Sequence, residues 1–183
     1  MSRKVLALLA AFYGMPALAE GIDIDVTGEA NGTISIELFE DVAPEHVARI
    51  IELANEGAYD GVVFHRVIDG FMAQTGDVEY GHADGDLSMA GMGGSDLPDL
   101  PAEFSDIPFT RGVVGMARSS DPNSANSQFF IMFADAPHLN GQYTVVGQVT
   151  AGLDVLDAIK RGDPPNGSVS GEPDVIADVR VTD

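Results

Sequence analysis

The sequence predicts a mainly β domain, an antiparallel barrel or sandwich whose open ends two helices could cover, and three observations carry that reading. Short runs of β-branched and aromatic residues are separated by Gly, Asp, Asn and Pro along most of the chain. Only two segments, well apart, recur at helical period, so the regular strand-helix-strand rhythm of a parallel doubly wound sheet is missing. With 183 residues, 45% hydrophobic and 21% charged, the chain has the size and composition of one globular domain rather than of a disordered or coiled-coil protein.

Taken in order, Gly32 to Leu38 alternates Ile34, Ile36 and Leu38 with Thr33, Ser35 and Glu37, the pattern of a half-buried strand. A helix follows: Pro44 suits its first turn, Glu45 its positive end, Val47, Ile50, Ile51 and Ala54 share one face, and Gly57 can end it. Strands are then expected at Val62 to Val67, Phe71 to Thr75, Gly112 to Ala117, Ser127 to Phe133 and Tyr143 to Val149. A second helix fits Leu153 to Lys160, flanked by Gly152 and Gly162, and Asp174 to Thr182 returns to alternation through Val175, Ala177, Val179 and Val181. The stretch from Gly76 to Asp106, rich in Gly and Asp, is longer than structural connections usually are, so it is either a functional loop or a mobile one. Gly162 to Pro173 reads as a surface loop inside the same domain.

The first nineteen residues have a separate character. Arg3 and Lys4 precede an apolar run from Val5 to Phe12, and Ala17-Leu18-Ala19 supplies small residues before Glu20. This is the layout of a secretory signal peptide, too short and too broken by Gly14 and Pro16 to span a bilayer. The expectation is cleavage after Ala19, leaving residues 20–183 as the working domain, periplasmic or secreted, without stable membrane association. That domain would keep 7 basic residues against 29 acidic ones, a charge of -22. Such a field repels phosphate backbones, so nucleic acid is a poor candidate partner and none is expected. The absence of cysteine removes disulfides, thiolate metal sites and thiol nucleophiles.

The densest motif is Phe64-His65-Arg66-Val67-Ile68-Asp69-Gly70-Phe71-Met72-Ala73-Gln74-Thr75-Gly76-Asp77. Asp69-Gly70 between two apolar runs signals a hairpin, and alternation places Arg66 on a face with Phe64 and Ile68. An arginine among apolar neighbours either snorkels at a barrel end or faces a ligand, and this segment alone leaves both open. A second series follows: Gly115-Met116-Ala117-Arg118-Ser119, Asn126-Ser127-Gln128-Phe129-Phe130-Ile131, His138-Leu139-Asn140-Gly141-Gln142-Tyr143 and Val146-Gly147-Gln148-Val149. In this order across Gly32 to Thr182, the motifs resemble the cyclophilin family of peptidyl-prolyl cis-trans isomerases.

The resemblance implies a closed eight-stranded antiparallel β-barrel capped by two α-helices, a monomer acting on X-Pro bonds of unfolded or extended polypeptides. It makes Arg66 the catalytic guanidinium, Phe71, Met72, Phe130 and Leu139 the pocket for the proline ring, and Gln74 a contact to substrate backbone. Ala117, Arg118, Ser119 and Gln128 would line the groove for residues preceding the proline. Three substrate-side positions depart from the common pattern: Arg118 stands where many members have Asn, His138 where Trp is frequent, and Tyr143 where His is frequent. Tyr143 keeps a ring and a hydrogen-bonding group, whereas His138 leaves a smaller, more polar rim. Rotation about an X-Pro bond breaks no covalent bond, so neither cofactor nor metal is called for.

Other chemistries fit less well. His46, His65, His82 and His138 lack the spacing of a zinc-binding pair, no Gly-x-Ser-x-Gly elbow marks a hydrolase, and no Walker-type loop is present. Asp84-Gly85-Asp86 and Asp96 to Asp99 do not follow the twelve-residue calcium-loop pattern.

Overall fold

The structure is a computed structural model that describes residues 20–183. The signal peptide expected at residues 1–19 lies outside the described residues. Eight strands form one antiparallel sheet: β1 (Gly21–Thr27), β2 (Gly32–Leu38), β3 (Arg66–Ile68), β4 (Met72–Thr75), β5 (Val113–Met116), β6 (Phe129–Met132), β7 (Val145–Ala151) and β8 (Val175–Thr182). Their spatial order is β3-β4-β6-β5-β7-β2-β1-β8. Two helices, α1 (Pro44–Asn55) and α2 (Leu153–Ala158), pack on β8 and β2 respectively.

The sheet is mainly β and curled, as expected, but its ladder is not closed. β3 and β8 are the edge strands of the ladder; just before β3, Val63 bridges Val175, Phe64 N–H donates to the Asp174 carbonyl at 2.9 Å, and Ile176 N–H donates to the Val62 carbonyl at 2.8 Å. The free edge of β3 is taken up by the Gly/Pro-rich loop instead. Val67 N–H donates to the Gly167 carbonyl at 2.7 Å, and Gly162 N–H donates to the Val67 carbonyl at 2.8 Å. With its edge groups satisfied there, the short β3 offers β8 nothing to pair with.

Strand β1 is absent from the elements expected above. Ile22, Ile24 and Val26 are buried, and Asp23 and Asp25 take the other face, where Ser35 and Thr33 hydroxyls donate to them at 2.6 Å across the β1–β2 ladder. Helix α1 begins at Pro44 and buries His46, Val47, Ile50 and Leu53, following its apolar period. Helix α2 is shorter than expected, because Ile159 already leaves helical geometry. Among the described residues no helix is long and apolar enough to cross a membrane.

Two apolar clusters lie on opposite faces of the sheet, and β6 belongs to both. Phe129 and Ile131 join the main core with Ile24, Ile34, Ile36 and Val146, while Phe130 and Met132 join a second cluster with Met72, Phe109, Val113 and Leu139. A strand covered on both faces reads as an unbroken apolar run, which explains the Phe-Phe-Ile-Met sequence. The same alternation puts Val67 and Ala73 in the core, and their neighbours Arg66, Ile68, Met72 and Gln74 toward the second cluster. Phe64 does not share Arg66's face. The chain is irregular between them, and Phe64 is fully buried in the main core.

Candidate active site

The site grows from the β3–β4 hairpin. Gly70 takes φ +68° at the turn, a conformation that a side chain disfavours, and the register that follows sets Arg66 opposite Gln74. Gln74 in turn pairs with Phe130 on β6, and Phe130 with Gly115 on β5. A Cβ on Gly115 would lie 2.6 Å from Phe109 and 2.7 Å from Phe130, so glycine there is what lets the two rings stack at 5.7 Å. Tyr143 meets both edge-on. Leu139, carried on a short 3-10 turn over Pro137–Leu139, completes the wall.

These residues surround a cavity of about 160 Å³ lined by Arg66, Phe71, Met72, Gln74, Ala117, Arg118, Phe130, Leu139 and Tyr143. Phe71, Met72, Phe130 and Leu139 supply its apolar lining, and Arg66, Gln74 and Arg118 its polar groups. The Arg66 guanidinium donates to Gln74 Oε1 at 3.1 Å and to the Asn166 carbonyl at 2.9 Å. Gln74 passes the chain on, donating to Gln128 Oε1 at 2.9 Å, and Gln128 donates to the Gly93 carbonyl at 2.8 Å. Partial burial holds the Arg66 guanidinium below the ordinary arginine range, yet arginine stays charged in proteins. The result is a half-buried cation held by neutral acceptors.

A larger groove of about 550 Å³ adjoins the first cavity, sharing Gln74, Ala117 and Arg118 with it and reaching Ser119, Gln128 and the segment Gly91 to Ser95. The long Gly/Asp-rich stretch therefore lines the groove. Buried Asp77 anchors it: Oδ1 accepts from Glu79 and Tyr80 N–H at 3.1 and 2.9 Å, and Oδ2 from Gly91 and Gly93 N–H at 2.6 and 3.0 Å.

Thus the structure brings together every expected site residue except His138, which lines neither cavity and stacks on Phe71 with ring centroids 5.6 Å apart. Sequence reasoning missed the carbonyls of Asn166 and Gly93, the ring of Phe109 and the anchor Asp77. Carbonyls leave no sequence signal, since every residue has one. Asp77 closes the Gln-x-Gly-Asp motif, and its burial was the missing clue.

An apolar cavity beside a fixed guanidinium, opening into a longer groove, is the geometry of a site that fits a ring-bearing residue within an extended chain. The comparisons agree. The profile of cyclophilin type peptidyl-prolyl cis-trans isomerase/CLD matches residues 22–181. A probable peptidyl-prolyl cis-trans isomerase of Brucella suis biovar 1 (strain 1330) is 60% identical over 148 residues, covering 80% of this chain and 76% of that protein. A crystal structure of a cyclophilin from Hirschia baltica superposes with TM-score 0.71 at 28% identity, over 87% of this chain and 73% of the other. A Cryptosporidium parvum cyclophilin type peptidyl-prolyl cis-trans isomerase, solved in the presence of the dipeptide Ala-Pro, gives TM-score 0.74 at 26% identity, over 89% and 99%. The chain belongs to the cyclophilin-type peptidyl-prolyl cis-trans isomerase family.

Proposed function

We propose that the protein is exported and accelerates rotation about X-Pro bonds in exported polypeptides, assisting their folding, with Arg66 as the catalytic residue. The observation that carries the assignment of Arg66 is its position at the mouth of the apolar cavity, held at 3.1 Å by Gln74 and without a carboxylate partner among the described residues.

The uncatalysed rotation must break amide conjugation, a barrier of roughly 18 to 20 kcal/mol, and takes tens to hundreds of seconds. The cavity formed by Phe71, Met72, Phe130 and Leu139 grips the proline ring, so one side of the bond is immobile. As the imide nitrogen leaves conjugation its lone pair becomes a better acceptor, and the Arg66 guanidinium donates to it. That interaction is stronger in the twisted state than in either planar one, which lowers the barrier. Gln74 and Gln128 hold the backbone while the carbonyl on the other side turns. Ala117, Arg118 and Ser119 border the upstream residues, and His138 stiffens the rim through Phe71.

Isomerisation of an Ala-Pro peptide by residues 20–183, followed by NMR exchange, tests the activity. Arg66→Ala should lower kcat/KM about 100-fold with the circular dichroism spectrum unchanged. Equal rates for the two proteins would overturn the role of Arg66. Export is tested by secretion in a bacterial host, where mass spectrometry should find Glu20 as the first residue; an intact Met1 chain in the membrane fraction would refute the leader.

A further inference from the structure

Residues 20–183 carry seven basic side chains against 29 acidic ones. Among these described residues, Arg111, Lys160, Arg161 and Arg180 each lie within ion-pair distance of a carboxylate. Arg49 is buried beneath the Asn126 loop and donates to the carbonyls of Pro98 and Asn126. The two that remain, Arg66 and Arg118, both line the proline-ring cavity and have no carboxylate at that distance. Where acids are in such excess, unpaired guanidinium groups gathered at one cavity make it a cationic spot on an anionic molecule.

Arg118 is fixed there. Its Nε and Nη2 donate to the Gln142 carbonyl at 3.2 and 2.7 Å, Nη1 donates to the Ser119 carbonyl at 2.8 Å, and Cζ lies 4.4 Å from the centre of the Tyr143 ring. These contacts orient the planar fork without neutralising it, and a terminal N–H on each of Nη1 and Nη2 is left over from the five donors. Arg118 also borders the larger groove, which Glu79 and Asp99 line and which the first cavity lacks. The charge along the groove therefore changes sign at Arg118. Arg118 lines both cavities and so stands at their junction. With the proline ring in the small cavity and the preceding residues in the larger groove, the direction that the family resemblance implies, the residue before the proline passes it.

We propose that Arg118 is a specificity-determining residue that selects substrates with an acidic side chain immediately before the proline. This inference rests on the proposed placement of proline in the Arg66 cavity. A carboxylate at that position meets an oriented guanidinium, whereas one farther upstream meets Glu79 and Asp99. The overall negative charge of the protein opposes anionic substrates at long range, but at 0.15 M salt that opposition is screened beyond about 8 Å and the local contact decides.

The test compares capped Ala-Ala-Pro-Phe, Ala-Glu-Pro-Phe and Ala-Lys-Pro-Phe peptides, with a fourth peptide carrying Glu three residues before the proline, in 0.15 M salt. For the unaltered chain 20–183, kcat/KM on the Glu-Pro peptide should exceed that on the Ala-Pro peptide about three- to tenfold, and the Lys-Pro peptide should fall below both. The fourth peptide should show no gain. Arg118→Gln should bring the Glu/Ala ratio to about one, and Arg118→Lys should keep part of it. A ratio at or below one in the unaltered protein, or a ratio unmoved by Arg118→Gln, overturns the proposal. Should Arg118→Gln not fold, Arg118→Lys against the unaltered chain still reads the loss of the oriented fork. Failure to turn over any peptide would sink the isomerase reading instead, and NMR titration of the same peptides would then read the same preference from their dissociation constants.

Discussion

Arg66 and Gln74 face each other across the β3–β4 ladder, and the guanidinium Nη1 donates to the amide oxygen at 3.1 Å. Gln74 is thereby fixed in one amide orientation, oxygen toward Arg66 and nitrogen toward Gln128 at 2.9 Å. A turn of that amide would break both bonds at once.

Gln74→Ala should therefore lower kcat/KM on an Ala-Pro peptide by about tenfold, partly through Arg66. The two side chains are joined by a hydrogen bond at 3.1 Å, so Arg66→Ala and Gln74→Ala combined should cost less than the sum of the single losses, with a coupling of about 0.5 to 3 kcal/mol. Strict additivity, measured in a four-protein cycle, would show that Gln74 does not work through the guanidinium.

Phe130 is 5% exposed, stacked on Phe109 and edge-on to Tyr143. Phe130→Ala should cost about 3 to 5 kcal/mol of stability, because the residue belongs to the second apolar cluster as well as to the cavity. Chemical denaturation reads that loss, and peptide titration should show weaker binding. A stable variant with unchanged peptide affinity would remove Phe130 from the pocket.

His65 is buried beside Gly91, and neither ring nitrogen reaches hydrogen-bond geometry among the described residues, although the Val63 carbonyl and Gln128 lie near it. Burial pushes its pKa below the ordinary value of 6.5, with nearby Asp77 acting in the opposite sense. The unfolded chain therefore takes up a proton at a pH where the folded ring does not. The stability contributed by neutral His65 is fully present above pH 6.5 and is lost as pH falls through the lower folded value. Denaturation midpoints should decline on going from pH 7.5 to 5.5, and His65→Gln should flatten that decline. Parallel profiles for the two proteins would show that His65 is not the titrating group.

Salt should stabilise the protein. Residues 20–183 carry 29 acidic groups, and among these described residues only four Lys or Arg side chains lie within ion-pair distance of a carboxylate, so most carboxylates have no permanently cationic partner. Screening at about 0.1 M acts over distances near 10 Å. Each kcal/mol gained corresponds to about 2 to 4 °C in melting temperature for a chain of this size. A melting temperature that stays flat or falls as sodium chloride is added at fixed pH would show that repulsion is not a significant term.

Much of this was legible in the residues. Pro44, Glu45 and the period of Val47, Ile50 and Ala54 located α1, and Asp69-Gly70 located the hairpin that positions Arg66. β1 was not, because Asp23 and Asp25 are poor strand residues until Ser35 and Thr33 stand across from them, a pairing that local pattern does not display. The open ladder was equally hidden: whether β3 meets β8 or the 162–168 loop depends on tertiary contacts of backbone groups. The site residues on β4 and β6 were recognisable by motif, whereas the hold on Arg66 by the Asn166 carbonyl joins positions a hundred residues apart through an atom common to all residues.

β1 and β8 are hydrogen-bonded neighbours, with Gly21 opposite Thr182. The two ends of the described chain thus lie side by side, at the separation of paired strands, about 5 Å. Considered as a path in space, the backbone nearly returns to its origin, and a linker of a few residues could join it into a ring. Opening that ring at exposed Asp84-Gly85 would give a circular permutant in which every strand pair survives and the order of synthesis is rotated. In such a molecule Arg66 would lie near the new C-terminus and be translated after β5 to β8, so the site would be assembled last.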